Sequence, residues 1–230
     1  MIKLVVFDLD DTLITEKSYA ESAFKEISMM LIEVLGNNSK NIFDTMIKCY
    51  ETDPKKVFDN TFHEFNVPLT NAYKSVLIDC YRNHKPNLKL TVRTHKLFHE
   101  IKERNIKLGL ITDGYKITQH NKIDVLDLNQ YMDKIIVTDD LGREYWKPHQ
   151  LAFKLMKEYF GLDNKEIMYV GDNINKDFIA PNELGMISVM VKSSNGVYYN
   201  DNAVNDNQKP RFTISDLSEI LNIIDSEIIQ

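Results

Sequence analysis

Apolar positions along the chain follow two rhythms. Residues 3–7, KLVVF, form a short unbroken run that stops at Asp8. A run of that length without alternation fits a strand buried on both faces. Similar runs recur at IKLGLI (106–111), KIIVT (134–138), IMYVG (167–171) and ISVMV (187–191). Between them the spacing turns helical. Leu97 and Ile101 mark a helix over 94–105, and Ala152, Phe153, Met156, Tyr159 and Phe160 mark one over 148–160, with Pro148 in its first turn. A last helix is expected over 216–224. Strands alternating with helices predict an α/β fold: a doubly wound parallel sheet, a Rossmann-like core with helices on both faces.

Residues 16–88 break this alternation and read as four helices with no strand. The first is expected over 19–35, with Ala23, Ile27, Met30, Leu31 and Val34 inward and Gly36-Asn37-Asn38 as its stop. The second covers 41–51, with Phe43, Met46, Ile47 and Tyr50 inward. Asp53 then caps and Pro54 opens a third, through Val57, Phe58 and Phe62. Thr70 starts the fourth, with Tyr73, Val76, Leu77, Cys80 and Tyr81 inward, and it ends before His84-Lys85-Pro86. The expected division is a core of residues 1–15 and 89–230 carrying an inserted all-helical module, 16–88. The insert leaves the core beside the carboxyl end of the first strand, where open α/β sheets bind ligands. Residues 193–210, rich in Asn, Asp, Ser and Gly, are expected to form an exposed loop without an assigned role.

Composition narrows the function classes. A chain of 230 residues suits one domain, or one domain with a smaller insert. With 43% hydrophobic and 27% charged residues it buries a sizeable core, which excludes a mainly disordered chain. Its 28 basic residues against 34 acidic ones leave a net charge of −6, so no bulk field draws it to nucleic acid or an anionic membrane. No apolar stretch approaches the ~20 residues of a membrane helix, and MIKLVVFDLDD lacks the form of a signal peptide. Cys49 and Cys80 are too few for a disulfide framework and lack metal spacing, which fits a reducing cytoplasm.

The candidate chemistry lies in four short motifs at or near predicted strand ends. Asp8-Leu9-Asp10-Asp11-Thr12 follows the first strand, and residues two apart on an extended segment point the same way, so Asp8 and Asp10 face one spot. Alone it reads equally well as a solvated acidic turn. Ile111-Thr112-Asp113-Gly114 ends the second; a hydroxyl and backbone N–H groups there suit a phosphate, while Thr112 or Asp113 as a plain helix cap is the simpler account. Trp146-Lys147-Pro148 places an ammonium at a helix mouth, an arrangement common on any surface. Gly171-Asp172-Asn173-Ile174-Asn175-Lys176-Asp177 adds two carboxylates after the fourth strand, or an Asx-rich capping loop. Each motif has an ordinary explanation; their shared placement on one sheet edge does not.

Taken together these motifs resemble the haloacid dehalogenase superfamily, whose pattern is a DxDx[TV] start, a later Ser or Thr, a Lys, and a GDxxxxD-type end. The likeness spans core and insert, the insert resembling the family's helical cap of the first type. Asp11 stands where many members carry Gly, and Pro181 replaces a small residue. The resemblance implies phosphoryl transfer through an aspartyl-phosphate with Mg²⁺ as cofactor. Asp8 is then the nucleophile, and Asp10 the general acid and afterwards the base; crowded carboxylates favour its protonated form and the metal opposes it, so the net shift stays open. Thr112 and the amides near Asp113 and Gly114 hold the phosphoryl oxygens, and Lys147 offsets their charge. The metal set is Asp8, Asp10, Asp172 and Asp177: Asp8, the Asp10 carbonyl and Asp172 as ligands, Asp177 orienting Lys147 or a metal-bound water. The cap is expected to exclude water and recognise the leaving group, with Lys17, Tyr19 and Lys55 facing the site. Arg143 and Trp146 are further candidates for touching substrate.

The reading that follows is a Mg²⁺-dependent phosphatase acting on a small phosphate ester, a sugar phosphate or nucleotide-like, without nucleic-acid or membrane partners. A phosphomutase uses the same core residues and differs only in keeping its aspartyl-phosphate from water. A binding module on an enzyme-like fold is the non-catalytic alternative.

Overall fold

The computed structural model describes residues 1–192 and 202–227. They fall into two compact units, Met1–Glu16 with Lys89–Gln230, and Lys17–Leu88. The first holds a six-stranded parallel sheet: β1 (Leu4–Phe7), β2 (Lys107–Thr112), β3 (Lys134–Val137), β4 (Ile167–Gly171), β5 (Ile187–Val191) and β6 (Phe212–Ile214), in the order β3-β2-β1-β4-β5-β6. The chain builds β1 to β3 in one direction and β4 to β6 in the other, so β1 and β4 flank the point where the order reverses. Phe7 pairs with both Leu110 and Val170, which brings the ends of β2, β1 and β4 level. Beyond that pair the Asp8 amide donates to the Val170 carbonyl at 2.8 Å.

The five predicted strands stand within a residue or two of their expected bounds. β6 was not foreseen: it has three residues, lies at the sheet edge and buries fully only Ile214.

Alternation on β1 explains why an all-apolar run is needed. Leu4 and Val6 pack with Ile111, Phe153, Met156 and Tyr169 on one face, while Phe7 meets Phe98 at a ring separation of 5.6 Å. Phe98 lies on α6 (Val92–Glu103), whose N-cap Thr91 accepts from the Thr94 amide. Phe153 and Met156 lie on α9 (Leu151–Phe160). The sheet is thus covered on both faces, the condition for burying strands without polar alternation.

Helix α9 begins at Leu151, not at Pro148. Residues 146–149 form a turn closed by the His149 amide on the Trp146 carbonyl at 3.0 Å, and this turn carries Lys147. The last helix opens where expected, with Asp216 and Glu219 forming a capping box, but as a 3-10 turn (Leu217–Glu219) that continues into α11 (Ile220–Ser226). Of the predicted loop 193–210, residues 193–201 lie outside the described residues, and the remainder holds a 3-10 turn at Asp206–Gln208.

The second unit is all helical. The expected first helix divides at Leu31 into α1 (Glu16–Met30) and α2 (Ile32–Leu35). Then come α3 (Ser39–Thr52), capped by Asn38, α4 (Val57–Glu64) and α5 (Asn71–Asn83), capped by Thr70. Asp53 and Pro54 form a turn before α4 rather than opening it, since the Lys56 amide closes back on the Asp53 carbonyl at 3.1 Å. The core of this unit is Phe24, Ile27, Leu31, Ile42, Met46, Phe58, Phe62, Leu77 and their neighbours. Met30, Val34 and Val76, expected inward, are exposed. For α3 the fully buried residues are Ile42, Met46 and Cys49, and the expected Phe43, Ile47 and Tyr50 pack, partly buried, against the same cluster.

Candidate active site

The turn after β1 starts the site. Asp8 is buried at the strand end, and Asp11 has a left-handed backbone, with φ of 51°. Glycine or a short polar residue suits that conformation, so Asp at position 11 is compatible with the turn. Its Oδ1 accepts from the Glu16 amide at 2.8 Å, closing the turn within the first unit.

Lys147 is the hub. Its Nζ lies 2.9 Å from Asp8 Oδ1 and 2.7 Å from Asp177 Oδ1, with no exposed side-chain surface. It also donates to the Tyr169 hydroxyl at 2.9 Å. A solvated surface lysine, the ordinary reading of this residue, is therefore incorrect. Burial by itself would lower the lysine pKa; Asp177 and Asp8 outweigh it and hold Lys147 charged, well above its usual range.

Asp8, Asp172 and Asp177 each present a carboxylate oxygen within 4.8 Å of the others, all three residues buried. Asp177 is fully engaged by the protein: Oδ1 accepts from Lys147 and the Tyr169 hydroxyl, and Oδ2 from the amides of Asp172 and Asn173 at 3.2 and 2.9 Å. Asp172 is the opposite case, since its Oδ2 is buried without a hydrogen-bond partner. Burial, with Lys147 pulling against it and Asp177 adding to it, pushes the Asp8 carboxyl up to about 7. Burial, then Asp177 and Asp8, push Asp172 up to about 9. Carboxylates this crowded take up protons or a cation. An all-oxygen donor set with an orphaned, buried carboxylate oxygen fits a hard divalent cation such as Mg²⁺.

Thr112 is the last residue of β2 and is fully buried. Neither it nor Asp113 caps the helix that follows, α7 (Lys116–Val125), which has Tyr115 at its N-cap; the Lys116 amide instead donates to Asp139 at 2.9 Å. Gly114 lies in the turn between them. The Asp113 carboxylate is consumed inside the core, accepting from the Thr138 hydroxyl at 2.8 Å, the Lys147 amide at 3.1 Å and Lys176 Nζ at 3.0 Å. Burial opposes its ionisation, but Lys147, Lys176 and Thr138 prevail and its pKa lies below the ordinary value. Only the backbone of Asp113 is left to meet an anion.

Asp10 is held from α7. Lys122 Nζ approaches its two oxygens at 2.7 and 2.8 Å, and Gln119 Nε2 donates to Oδ2 at 3.0 Å. The same amide donates to Thr112 Oγ1 at 2.6 Å.

Gln119, Lys122 and Lys176 escaped the sequence reading, as did Tyr169 and Thr138. One signal for the first two was available. Helix α7 buries Thr118, Gln119, Lys122 and Ile123, so polar residues occupy the face where an α/β helix normally carries apolar ones.

Two cap candidates are engaged elsewhere. Lys17 pairs with Glu51 at 2.6 Å, and the buried Tyr19 donates to the Tyr81 carbonyl at 2.6 Å, both within the helical unit. Arg143 lies over the rings of Tyr115 and Trp146 at 5.7 and 5.3 Å from their centroids, while the Trp146 indole donates to Asp139. Both cysteines are free. Among the described residues no helix is long and apolar enough to cross a membrane.

Residues 5–191 match the family described as haloacid dehalogenase-like hydrolase. The chain belongs to this family. A relative from Methanocaldococcus jannaschii, named glyceraldehyde 3-phosphate phosphatase, is 32% identical over 229 residues, covering 97% of each chain. A pyrophosphatase PpaX from Oceanobacillus iheyensis is 24% identical, again over 97% of each chain. Among solved structures, a phosphatase of this family from Thermococcus onnurineus aligns with a TM-score of 0.62 at 23% identity, covering 97% of this chain and 98% of the other. A 2-haloacid dehalogenase from Pseudomonas syringae aligns with a TM-score of 0.63 at 20% identity, over 99% and 100%. Phosphatase and dehalogenase align equally well, so the shared fold does not choose the chemistry; the side chains at the sheet edge must.

Proposed function

We propose that this hydrolase is a Mg²⁺-dependent phosphatase acting on a small soluble phosphomonoester, through an aspartyl-phosphate on Asp8. The observation that carries the reading is the buried, mutually close set Asp8, Asp172 and Asp177 beside Lys147, with one Asp172 oxygen lacking any partner. Such a site takes up either protons or a cation, and with a cation in place it is suited to a phosphate. The M. jannaschii relative's name supports a phosphorylated triose as the first substrate to try.

Asp8, Asp172 and the Asp10 carbonyl would hold the cation, while Asp177, already saturated by protein donors, would position Lys147 and the loop 172–173. When bound, Mg²⁺ lowers the repulsion between a carboxylate nucleophile and a phosphate dianion. An Asp8 oxygen attacks phosphorus as the ester P–O bond breaks, and Asp10 gives its proton to the departing oxygen. Lys147 and the Thr112 hydroxyl face the phosphoryl oxygens as charge gathers on them. Water then attacks phosphorus, Asp10 takes its proton, the P–O bond to Asp8 breaks, and inorganic phosphate leaves with Asp8 restored.

The test is release of inorganic phosphate from glyceraldehyde 3-phosphate and a panel of sugar phosphates and nucleoside monophosphates, with Mg²⁺ and with EDTA. Chelation and Asp8→Asn should each abolish turnover, and Asp10→Asn should lower it by ~10²-fold or more. Turnover that survives in Asp8→Asn overturns the mechanism; an isomerised sugar phosphate in place of free phosphate marks a mutase.

A further inference from the structure

Asp10 has to give up a proton and later take one back at a fixed place, and its surroundings restrict where. An ionised carboxylate offers about four lone-pair directions. Lys122 Nζ takes one on each oxygen, at 2.7 and 2.8 Å, and Gln119 Nε2 takes the second on Oδ2, at 3.0 Å. That leaves one direction, on Oδ1. The Asp10 side chain is 24% exposed while that of Lys122 is 5% exposed, so the carboxylate is gripped from the protein side and open on the other.

A lysine buried to this degree needs a partner, and an apolar side chain of similar volume would fill the place without desolvating a charge. Gln119 is 1% exposed, and its orientation is fixed by chemistry, since a carboxylate only accepts and so the amide must present its NH₂ group. The same NH₂ donates to Thr112 Oγ1, which leaves the threonine hydrogen to point elsewhere. One amide therefore fixes both the phosphate-facing hydroxyl and the proton carrier.

We infer that Lys122 and Gln119 are positioning residues for Asp10: they clamp its carboxylate so that Oδ1 alone exchanges the proton with the ester oxygen and with the attacking water. The inference rests on the phosphatase reading of the site, and it adds two residues more than a hundred positions from Asp10 in sequence, on a helix that carries none of the four motifs.

Two esters separate this role from simple support of the fold. An alkyl phosphate such as glycerol phosphate needs its leaving oxygen protonated, whereas p-nitrophenyl phosphate loses its phenolate without a proton. The quantity to compare is kcat/KM, which reports on steps up to phosphoryl transfer. Lys122→Met should lower kcat/KM for the alkyl ester ~10–100-fold, the range for losing a partner that orients a site group, and lower that for the aryl ester by a clearly smaller factor. Gln119→Met should shift the ratio of the two values the same way, and it decides the matter if Lys122→Met does not fold. An equal fall for both esters in the folded variants overturns the clamp while leaving the phosphatase reading intact. Failure of the unmodified protein to cleave either ester overturns that reading, and the clamp with it.

Discussion

Lys147 and Asp177 form an ion pair of 2.7 Å in which neither side chain has exposed surface. Such a pair stabilises little in net terms, because both charges were taken from water, but breaking it leaves one charge stranded. Asp177 also accepts two backbone amides and a tyrosine hydroxyl. Asn at this position has one acceptor oxygen and one donor group, so it cannot serve both ends. Asp177→Asn should cost about 3–5 kcal/mol of stability and reduce turnover ~10–100-fold. Urea unfolding and initial rates on the same preparation check both; a variant as stable and active as the parent would show that the pair positions nothing.

The raised carboxyls make stability fall with pH. Free aspartate titrates near about 4, whereas Asp8 is pushed up to about 7 and Asp172 to about 9 by burial. Between those limits the folded chain holds more protons than the unfolded one, so the stability these groups contribute is complete below pH about 4 and is lost as pH rises through the folded values. In EDTA the thermal midpoint should therefore drop from pH about 5 to about 9. A bound cation displaces those protons, so Mg²⁺ should raise the midpoint more at the alkaline end. A midpoint in EDTA that is flat or climbs across this window contradicts the assignment.

Asp172→Asn divides stability from function. The Asp172 side chain is buried beside two other carboxylates with one oxygen unpartnered, an arrangement that costs folding energy. Asn needs no proton to stay neutral, so the exchange should raise the metal-free thermal midpoint most at the alkaline end, flatten the pH slope and abolish both the Mg²⁺-dependent stabilisation and turnover. A variant that unfolds earlier than the parent in EDTA would place the strain elsewhere.

Much of the fold was legible because this sheet buries both faces, so its strands appear as unbroken apolar runs whose abrupt ends locate Asp8, Thr112 and Asp172. Strand β6 was not legible: three residues with a half-buried Phe212 and an exposed Thr213 resemble any loop. The turn holding Lys147 was misread as the start of a helix because Pro148 is compatible with either. Lys122 and Gln119 were hidden for a different reason. Their meaning depends on which face of α7 meets Asp10, and a polar residue on a helix is ordinarily read as solvated. Asp113 was legible only in part: its motif suggested backbone amides for the phosphate, and nothing in it showed that its carboxylate is taken up by Thr138 and Lys176.

Two glycines distinguish damage to the site from damage to the fold. A Cβ on Gly171 would lie 2.6 Å from Asp177 Oδ2, the oxygen that holds the amides of Asp172 and Asn173. The carboxylate would have to shift, and with it the loop carrying Asp172 and the partner of Lys147. Gly161, the C-cap of α9, has open space around its Cβ position but a φ of 63°. Gly161→Ala meets only the left-handed backbone penalty, about 1–2 kcal/mol. Gly171→Ala carries an overpacking cost of similar size, about 1–3 kcal/mol. The two variants should thus lose comparable stability in urea, yet only Gly171→Ala should lose turnover, by ~10–100-fold. Equal loss of turnover in both would mean that activity follows global stability rather than the seating of Asp177.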